Sequence, residues 1–175
     1  MALDIPTLET ARLTLRGHRP EDLDELVALW SDPQVTRFIG GKTFGREEVW
    51  ARLLRYLGHW AAAGYGFWQV RERKTGRFVG EVGMADFKRE ISVPFDGAPE
   101  AGWVLAPWSH GHGYASEAVA AAHVWSAAAG HRRTVCIIDP SNGPSRRVAA
   151  KAGYREFART LYKGEEILVF ERLAP

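Results

Sequence analysis

Residues His110-Gly111-His112-Gly113-Tyr114-Ala115-Ser116 constrain this chain more than any other stretch, because they join a short apolar run to an alanine-rich one. Upstream, Ala101 to Ala106 reads as a buried strand closed by Pro107. Downstream, Ser116 to Ala129 holds no glycine or proline before Gly130 and reads as a helix. Gly111 and Gly113 therefore fall where a strand turns into a helix. Glycine tolerates positive φ and lets a backbone approach a ligand closely. The first N–H groups of a helix lack intrahelical partners and carry the positive end of its dipole. The junction predicts an anion site, most simply one for phosphate.

Spacing limits which phosphate ligand the junction serves. A dinucleotide loop reads Gly-x-Gly-x-x-Gly, and Ser116 holds its third glycine position. No early strand-helix-strand unit with an acidic ribose partner accompanies it. Gly41-Lys42-Thr43 hints at a nucleoside-triphosphate loop, but Thr36 stands where that motif places its first glycine. Neither class fits.

The remaining elements alternate. Arg12 to Arg16 reads as a strand, and Pro20-Glu21-Asp22 opens a helix with Leu23, Leu26, Val27 and Trp30 in step, ended by Asp32-Pro33. A second helix from about Arg46 to Ala62 carries Val49, Trp50, Leu53, Leu54, Leu57 and Trp60 and stops at Gly64. Trp30, Trp50 and Trp60 are expected in the core. Phe67 to Val70 and Phe78 to Gly83 read as strands around a Lys74-Thr75-Gly76 turn. Ile91 to Pro99 is the one long irregular segment, and it leads into the strand that begins at Glu100. Further strands are expected over Thr134 to Ile138 and around Tyr154 to Thr160 and Glu166 to Glu171, with a helix over about Gly143 to Ala152.

At 175 residues, 46% hydrophobic and 25% charged, the chain reads as one domain, 1–175, with its core over about 8–173. No apolar run approaches the roughly 20 residues that cross a bilayer. Met1-Ala-Leu-Asp-Ile-Pro6 lacks the basic start and apolar core of a leader, so a cytoplasmic protein without a membrane partner is expected. Cys136, the sole cysteine, lies in Val135-Cys136-Ile137-Ile138 and reads as an inert buried thiol. A net charge of +2, without a basic stripe interleaved with aromatics, argues against a nucleic-acid partner. His110-x-His112, with His123 and His131 downstream, lacks the further ligands of a zinc site, so no metal is expected.

His110-x-x-Gly113-x-Ala115 resembles the Arg/Gln-x-x-Gly-x-Gly/Ala motif with which the GNAT superfamily of N-acetyltransferases holds the pyrophosphate of acetyl-coenzyme A. Glu100-Ala-Gly-Trp-Val-Leu-Ala-Pro107 and Gly111-His-Gly-Tyr-Ala-Ser-Glu-Ala118 are similar to the branch that includes the ribosomal-protein N-terminal acetyltransferases RimJ and RimL. Glu9 to Arg16 resembles that branch's first strand. Asp139-Pro-Ser-Asn142-Gly-Pro-Ser145-Arg146 with Lys151-Ala-Gly-Tyr154 resembles its late coenzyme-contacting segment. One departure is His110, where the superfamily has Arg or Gln. The resemblance runs from about Leu8 to Leu173 and implies an α/β (α+β) architecture, the GNAT acyl-CoA N-acyltransferase fold, with a mixed central sheet of about seven strands flanked by about four helices. It implies transfer of an acetyl group from acetyl-CoA to a primary amine, a protein N-terminus or a small molecule, by direct attack in a ternary complex. Another short acyl donor is open, as is the alternative of a non-catalytic coenzyme A-binding sensor or structural protein. Exposed strands in this fold often pair, which leaves a homodimer open too.

The resemblance also distributes roles. His110, Gly111, His112, Gly113, Tyr114, Ala115 and Ser116 would hold the pyrophosphate, and a backbone N–H of the splayed strand at Trp103, Val104 and Leu105 would polarise the thioester carbonyl. Between His110 and Arg155 six basic residues face two acids, either as a solvated helix face or, at Arg147 and Lys151, to neutralise coenzyme phosphates. Asn142 is placed to cap the helix after Pro140, and the resemblance adds a hydrogen bond to the pantetheine arm. Ser145 either solvates the first helical turn or donates to the departing sulfur, with Tyr154 and Tyr162 as alternative acids. An amine with a free pKa of about 8 to 10.4 benefits from a base, or a water leading to one. Glu100, among Ala98, Pro99, Ala101 and Gly102, is the candidate base, with a raised pKa if partly buried; otherwise it is a solvated glutamate at a strand start. Trp68 and Phe38 are candidates to line the acceptor pocket, and the Ile91 to Pro99 loop is expected near it.

Overall fold

Apolar residues on both faces of the middle strands require a sheet covered on two sides. The computed structural model describes residues 4–174 and folds them around one eight-stranded sheet. In chain order its elements are β1 (Leu8–Glu9), β2 (Leu13–Gly17), α1 (Leu23–Trp30), α2 (Pro33–Thr36), α3 (Arg46–Ala63), β3 (Phe67–Glu72), β4 (Phe78–Ala85), β5 (Glu100–Leu105), α4 (Tyr114–Ala128), β6 (Arg133–Ile138), α5 (Gly143–Lys151), β7 (Arg155–Tyr162) and β8 (Glu165–Leu173). Met1 to Leu3, part of the stretch read for a leader, and Pro175 lie outside the described residues. The strand order is β1-β2-β3-β4-β5-β6-β8-β7, antiparallel throughout except where β5 meets β6.

The strand beyond the expected seven is β1, two residues paired with Thr14 and Leu15. A segment that short leaves no periodicity to detect. The extra helix arises at Asp32-Pro33, which starts an element as well as ending one. Asp32 Oδ1 accepts from the Gln34 N–H at 2.8 Å and Pro33 occupies the first turn of α2. The expectation of a core Trp50 is corrected: it is 38% exposed, because the buried stripe of α3 runs through Val49, Leu53, Tyr56 and Trp60.

Helices α1 and α3 cover one face of the sheet, where Leu26, Leu29, Trp30, Val49 and Leu53 pack with Val104. Helices α4 and α5 cover the other, where Tyr114, Ala118, Val119, Ala122 and Ala149 meet Val82, Met84, Ala101 and Leu105. Trp60, Trp68 and Trp125 close this second core edge to face, with centroids 4.9 to 5.3 Å apart. Trp68 is thus fully buried, which corrects its assignment to a substrate pocket.

Candidate active site

β5 and β6 run parallel but pair at one position, Glu100 opposite Val135, where the Val135 N–H donates to the Pro99 carbonyl at 3.0 Å. Past that vertex the ladder ends, and the β6-facing edge of Trp103, Val104 and Leu105 has no strand partner among the described residues. The Leu105 carbonyl is met instead by His110 Nε2 at 3.0 Å. A carbonyl only accepts, so that nitrogen carries the proton. His110 therefore folds back onto the end of β5.

The loop before α4 takes the positive-φ backbone that its glycines permit, at Gly111 and Gly113. Gly113 has φ +78° and caps α4, and the first N–H to reach back is that of Glu117, to the Gly113 carbonyl at 3.1 Å. The N–H groups of Tyr114, Ala115 and Ser116 precede that first bond and have no partner within the helix. Arg12 braces the loop from β2's side. Its Nη1 donates to the His112 carbonyl at 2.9 Å, its Nε donates to Glu117 at 2.7 Å, and its guanidinium lies 4.6 Å over the Tyr114 ring. The Thr10 hydroxyl also donates to Glu117, and Tyr114 OH donates to Glu72. His112 stacks on Tyr114 at 5.6 Å. The Arg12 brace has no local signature, since contacts across a hundred residues or more leave no pattern along the chain. Of the basic cluster, Arg133 is committed to Glu171 at 2.9 Å, while Arg147 and Lys151 are exposed on α5 without a carboxylate partner among the described residues.

Across the split from β5, Asn142 caps α5 as expected, its Oδ1 accepting from the Ser145 N–H at 3.1 Å. Trp103 Nε1 donates to Ser145 Oγ at 3.0 Å. An indole N–H can only donate, so the Ser145 hydroxyl accepts and keeps its own proton free. Tyr154 is turned away from this place. Its hydroxyl donates to His123 Nε2 at 2.8 Å and takes a hydrogen bond from Thr134 at 2.9 Å, while His123 Nδ1 donates to the Val119 carbonyl. Burial pushes the Tyr154 phenol far above its ordinary value and His123 down to about 4.

Glu100 is 4% exposed. Arg89 grips it with a two-pronged fork, Nε to Oε2 at 2.5 Å and Nη2 to Oε1 at 2.6 Å, and itself lies over the rings of Phe87 and Tyr162. Burial pushes the carboxyl above its ordinary value, against the opposing pull of Arg89. Arg89 escaped the sequence reading because nothing local distinguishes it from other basic residues of that segment. Glu100 also walls a cavity of about 230 Å³ formed with residues of the 86–99 loop. A second cavity of about 160 Å³ adjoins it, sharing Ala85, Asp86 and Phe87. Phe38 lines neither cavity.

A mixed sheet split between two parallel strands, with a glycine loop at the end of β5 and a buried carboxylate at the vertex, is the architecture of an N-acyltransferase. The acetyltransferase (GNAT) domain family matches residues 12–155, and the chain belongs to that family of N-acetyltransferases. It is 30% identical over 171 residues to the uncharacterized protein YkkB of Bacillus subtilis (strain 168), covering 94% of each chain. It is similar to an acetyltransferase from Agrobacterium tumefaciens str. C58, with 26% identity, a TM-score of 0.83, and 99% and 98% of the two chains covered. It shares its fold with RimL, a ribosomal L7/L12 alpha-N-protein acetyltransferase solved in complex with coenzyme A, at 16% identity and a TM-score of 0.79, covering 96% and 98%. Among the described residues no helix is long and apolar enough to cross a membrane.

Proposed function

We propose that this acetyltransferase moves the acetyl group of acetyl-coenzyme A onto a primary amine by direct attack within a ternary complex. The observation that carries this reading is the single-pair junction of β5 and β6, which leaves a backbone edge bare between the anion loop and a buried glutamate. The pyrophosphate is held by the free N–H groups of the Gly111 to Ser116 loop, with Arg147 and Lys151 neutralising outer phosphates. The pantetheine arm follows the bare edge at Trp103, Val104 and Leu105, where a backbone N–H polarises the thioester carbonyl. The Asn142 amide group hydrogen-bonds the same arm.

Glu100 accepts the proton of the attacking amine, directly or through a water, on lone pairs that the Arg89 fork leaves free. The amine nitrogen bonds to the carbonyl carbon and the carbon–sulfur bond breaks. Ser145, oriented by Trp103, donates to the departing sulfur. Cys136 is 1% exposed, with its thiol pushed up by burial, so it supports no covalent acyl-enzyme step.

Isothermal titration tests the reading first. Micromolar binding of acetyl-coenzyme A without response to NAD or ATP supports it, and failure to bind the coenzyme overturns it. Turnover of an amine panel, and its loss in Glu100→Gln at unchanged coenzyme affinity, then separates an enzyme from a coenzyme-binding protein.

A further inference from the structure

The smaller cavity carries a charge that the chain itself does not balance. Its wall includes Arg55, His59, Asp86 and Phe87 over a floor of Tyr56 and Phe67. Asp86 is matched by Lys88 at 2.6 Å. The Asp86 N–H donates to His59 Nε2 at 2.9 Å, and His59 Nδ1 donates to the Tyr65 carbonyl at 2.6 Å, which fixes a neutral imidazole. Arg55 lies one helical turn before His59 on the same side of α3. No carboxylate of the described residues forms an ion pair with it, unlike Arg89, which is held by Glu100.

Arg55's neighbours sharpen the imbalance. Arg52, one turn further back, donates to Tyr56 OH at 3.3 Å and lies 3.7 Å over Trp30. Arg89 sits 4.7 Å from the Phe87 ring and Arg55 sits 5.7 Å from it, so two guanidinium groups flank one aromatic side chain. Arg55 is exposed at the cavity's edge, and partial desolvation there, and then Arg52, push it below the usual arginine range. Glu81, engaged with Tyr56 and Trp30, pulls the other way. A guanidinium in this position is stabilised by an anion brought from outside, and it can hold a carboxylate through two parallel hydrogen bonds.

We infer that the acceptor is an amine that also bears a carboxylate, as an amino acid does, with the carboxylate on Arg55 and the amine directed into the adjoining cavity toward Glu100. The inference rests on the acetyl transfer proposed above. Arg55 is the one Lys or Arg lining the cavity of about 160 Å³, Arg52 being turned to Tyr56 and Trp30, and one cation suits a monoanion better than a phosphate dianion. A protein N-terminus presents an anion there only through a side chain.

The test compares amines that differ at the anion alone: amino acids, their α-amides, the corresponding decarboxylated amines, and ethanolamine phosphate as a phosphate-bearing arm. The acids should exceed their amides in kcat/KM by about tenfold or more, through KM. Arg55→Gln should raise KM for the acids, erase the gap and leave the amides unchanged. Thermal shifts of coenzyme-loaded protein by the same acids should follow the same pattern and need no turnover. Equal use and binding of acids and amides by the wild type, a gap that survives in Arg55→Gln, or a preference for ethanolamine phosphate overturns the inference. A protein that fails to bind acetyl-coenzyme A fails at the earlier reading; one that binds it yet ignores the carboxylate fails at this one alone.

Discussion

Glu81 and Glu100 stand on neighbouring strands and face the same side of the sheet, Glu81 opposite Val104 and Glu100 opposite Ala85. Both are buried, at 0% and 4% exposure, between the sheet and the α1/α3 layer or its margin. Glu81 is enclosed. Its Oε1 accepts from Tyr56 OH and from Trp30 Nε1 at 3.1 Å, and its Oε2 faces His18 Nε2 at 3.5 Å, with neither of those two atoms otherwise bonded. His18 Nδ1 is turned to the Phe67 carbonyl, so a proton on Nε2 or on Oε2 is what lets the two atoms face each other. Among the described residues Glu100 has one side-chain partner, Arg89, and a cavity in front of it. Desolvation alone thus does not mark a base. A buried carboxylate can trade a proton with substrate only if a cavity brings the substrate to it.

That contrast breaks most readily at Glu81. Glu81→Ala should cost about 3–5 kcal/mol of stability, because it strands Tyr56, Trp30 and His18 around an empty place. Urea unfolding measures this, and a loss below about 1 kcal/mol would remove the structural half of the contrast.

Glu100→Gln should instead act on the rate, lowering kcat by about 10²- to 10⁴-fold. Because the base must be ionised, kcat/KM of the wild type should rise with pH through a carboxyl value above the ordinary glutamate range, in the direction burial sets. A pH profile flat across that region, with Glu100→Gln fully active, assigns the proton to water or another group.

His123 sharpens what burial does without a cavity. Unfolded histidine takes its proton near pH 6.5 and folded His123 near 4, so between those values the unfolded chain binds more protons and stability rises with pH. Roughly 3 kcal/mol should be lost on going from pH 7 to 4. His123→Phe should flatten that slope, and an unchanged slope in urea melts at the two pH values would falsify the assignment.

The smallest effect concerns Ser145. Trp103→Phe removes the indole donor and should lower kcat a few-fold, about 1 kcal/mol, with little change in coenzyme affinity. Ser145→Ala should lower kcat at least as far and make the Trp103 change silent, since the indole acts through that hydroxyl.

How much of this was readable in one dimension varies by element. The helix over Arg46 to Ala63 was visible because its apolar residues recur at helical spacing and Gly64 ends it with φ +75°. The turn into α4 was visible because two glycines stand between an apolar run and an alanine-rich one. Trp50 and Trp68 were misplaced because an indole's spacing reports which side it shares with its neighbours and not whether that side meets the sheet or solvent. Glu81 carries no signal of its own, since a glutamate in a strand looks solvated until the layer above it is known.

Neighbours a few residues apart therefore set the elements, the glycine turn into α4, the Asn142 cap and the family resemblance that follows from their order. Which charges meet depends on the folded sheet. Arg89 on Glu100, Trp103 on Ser145, Arg12 on the loop and the unmatched Arg55 all depend on chain segments brought together by burial of the sheet's two faces. Electrostatic and hydrogen-bond partners act over a few ångströms of space, and that distance is not recorded along the chain.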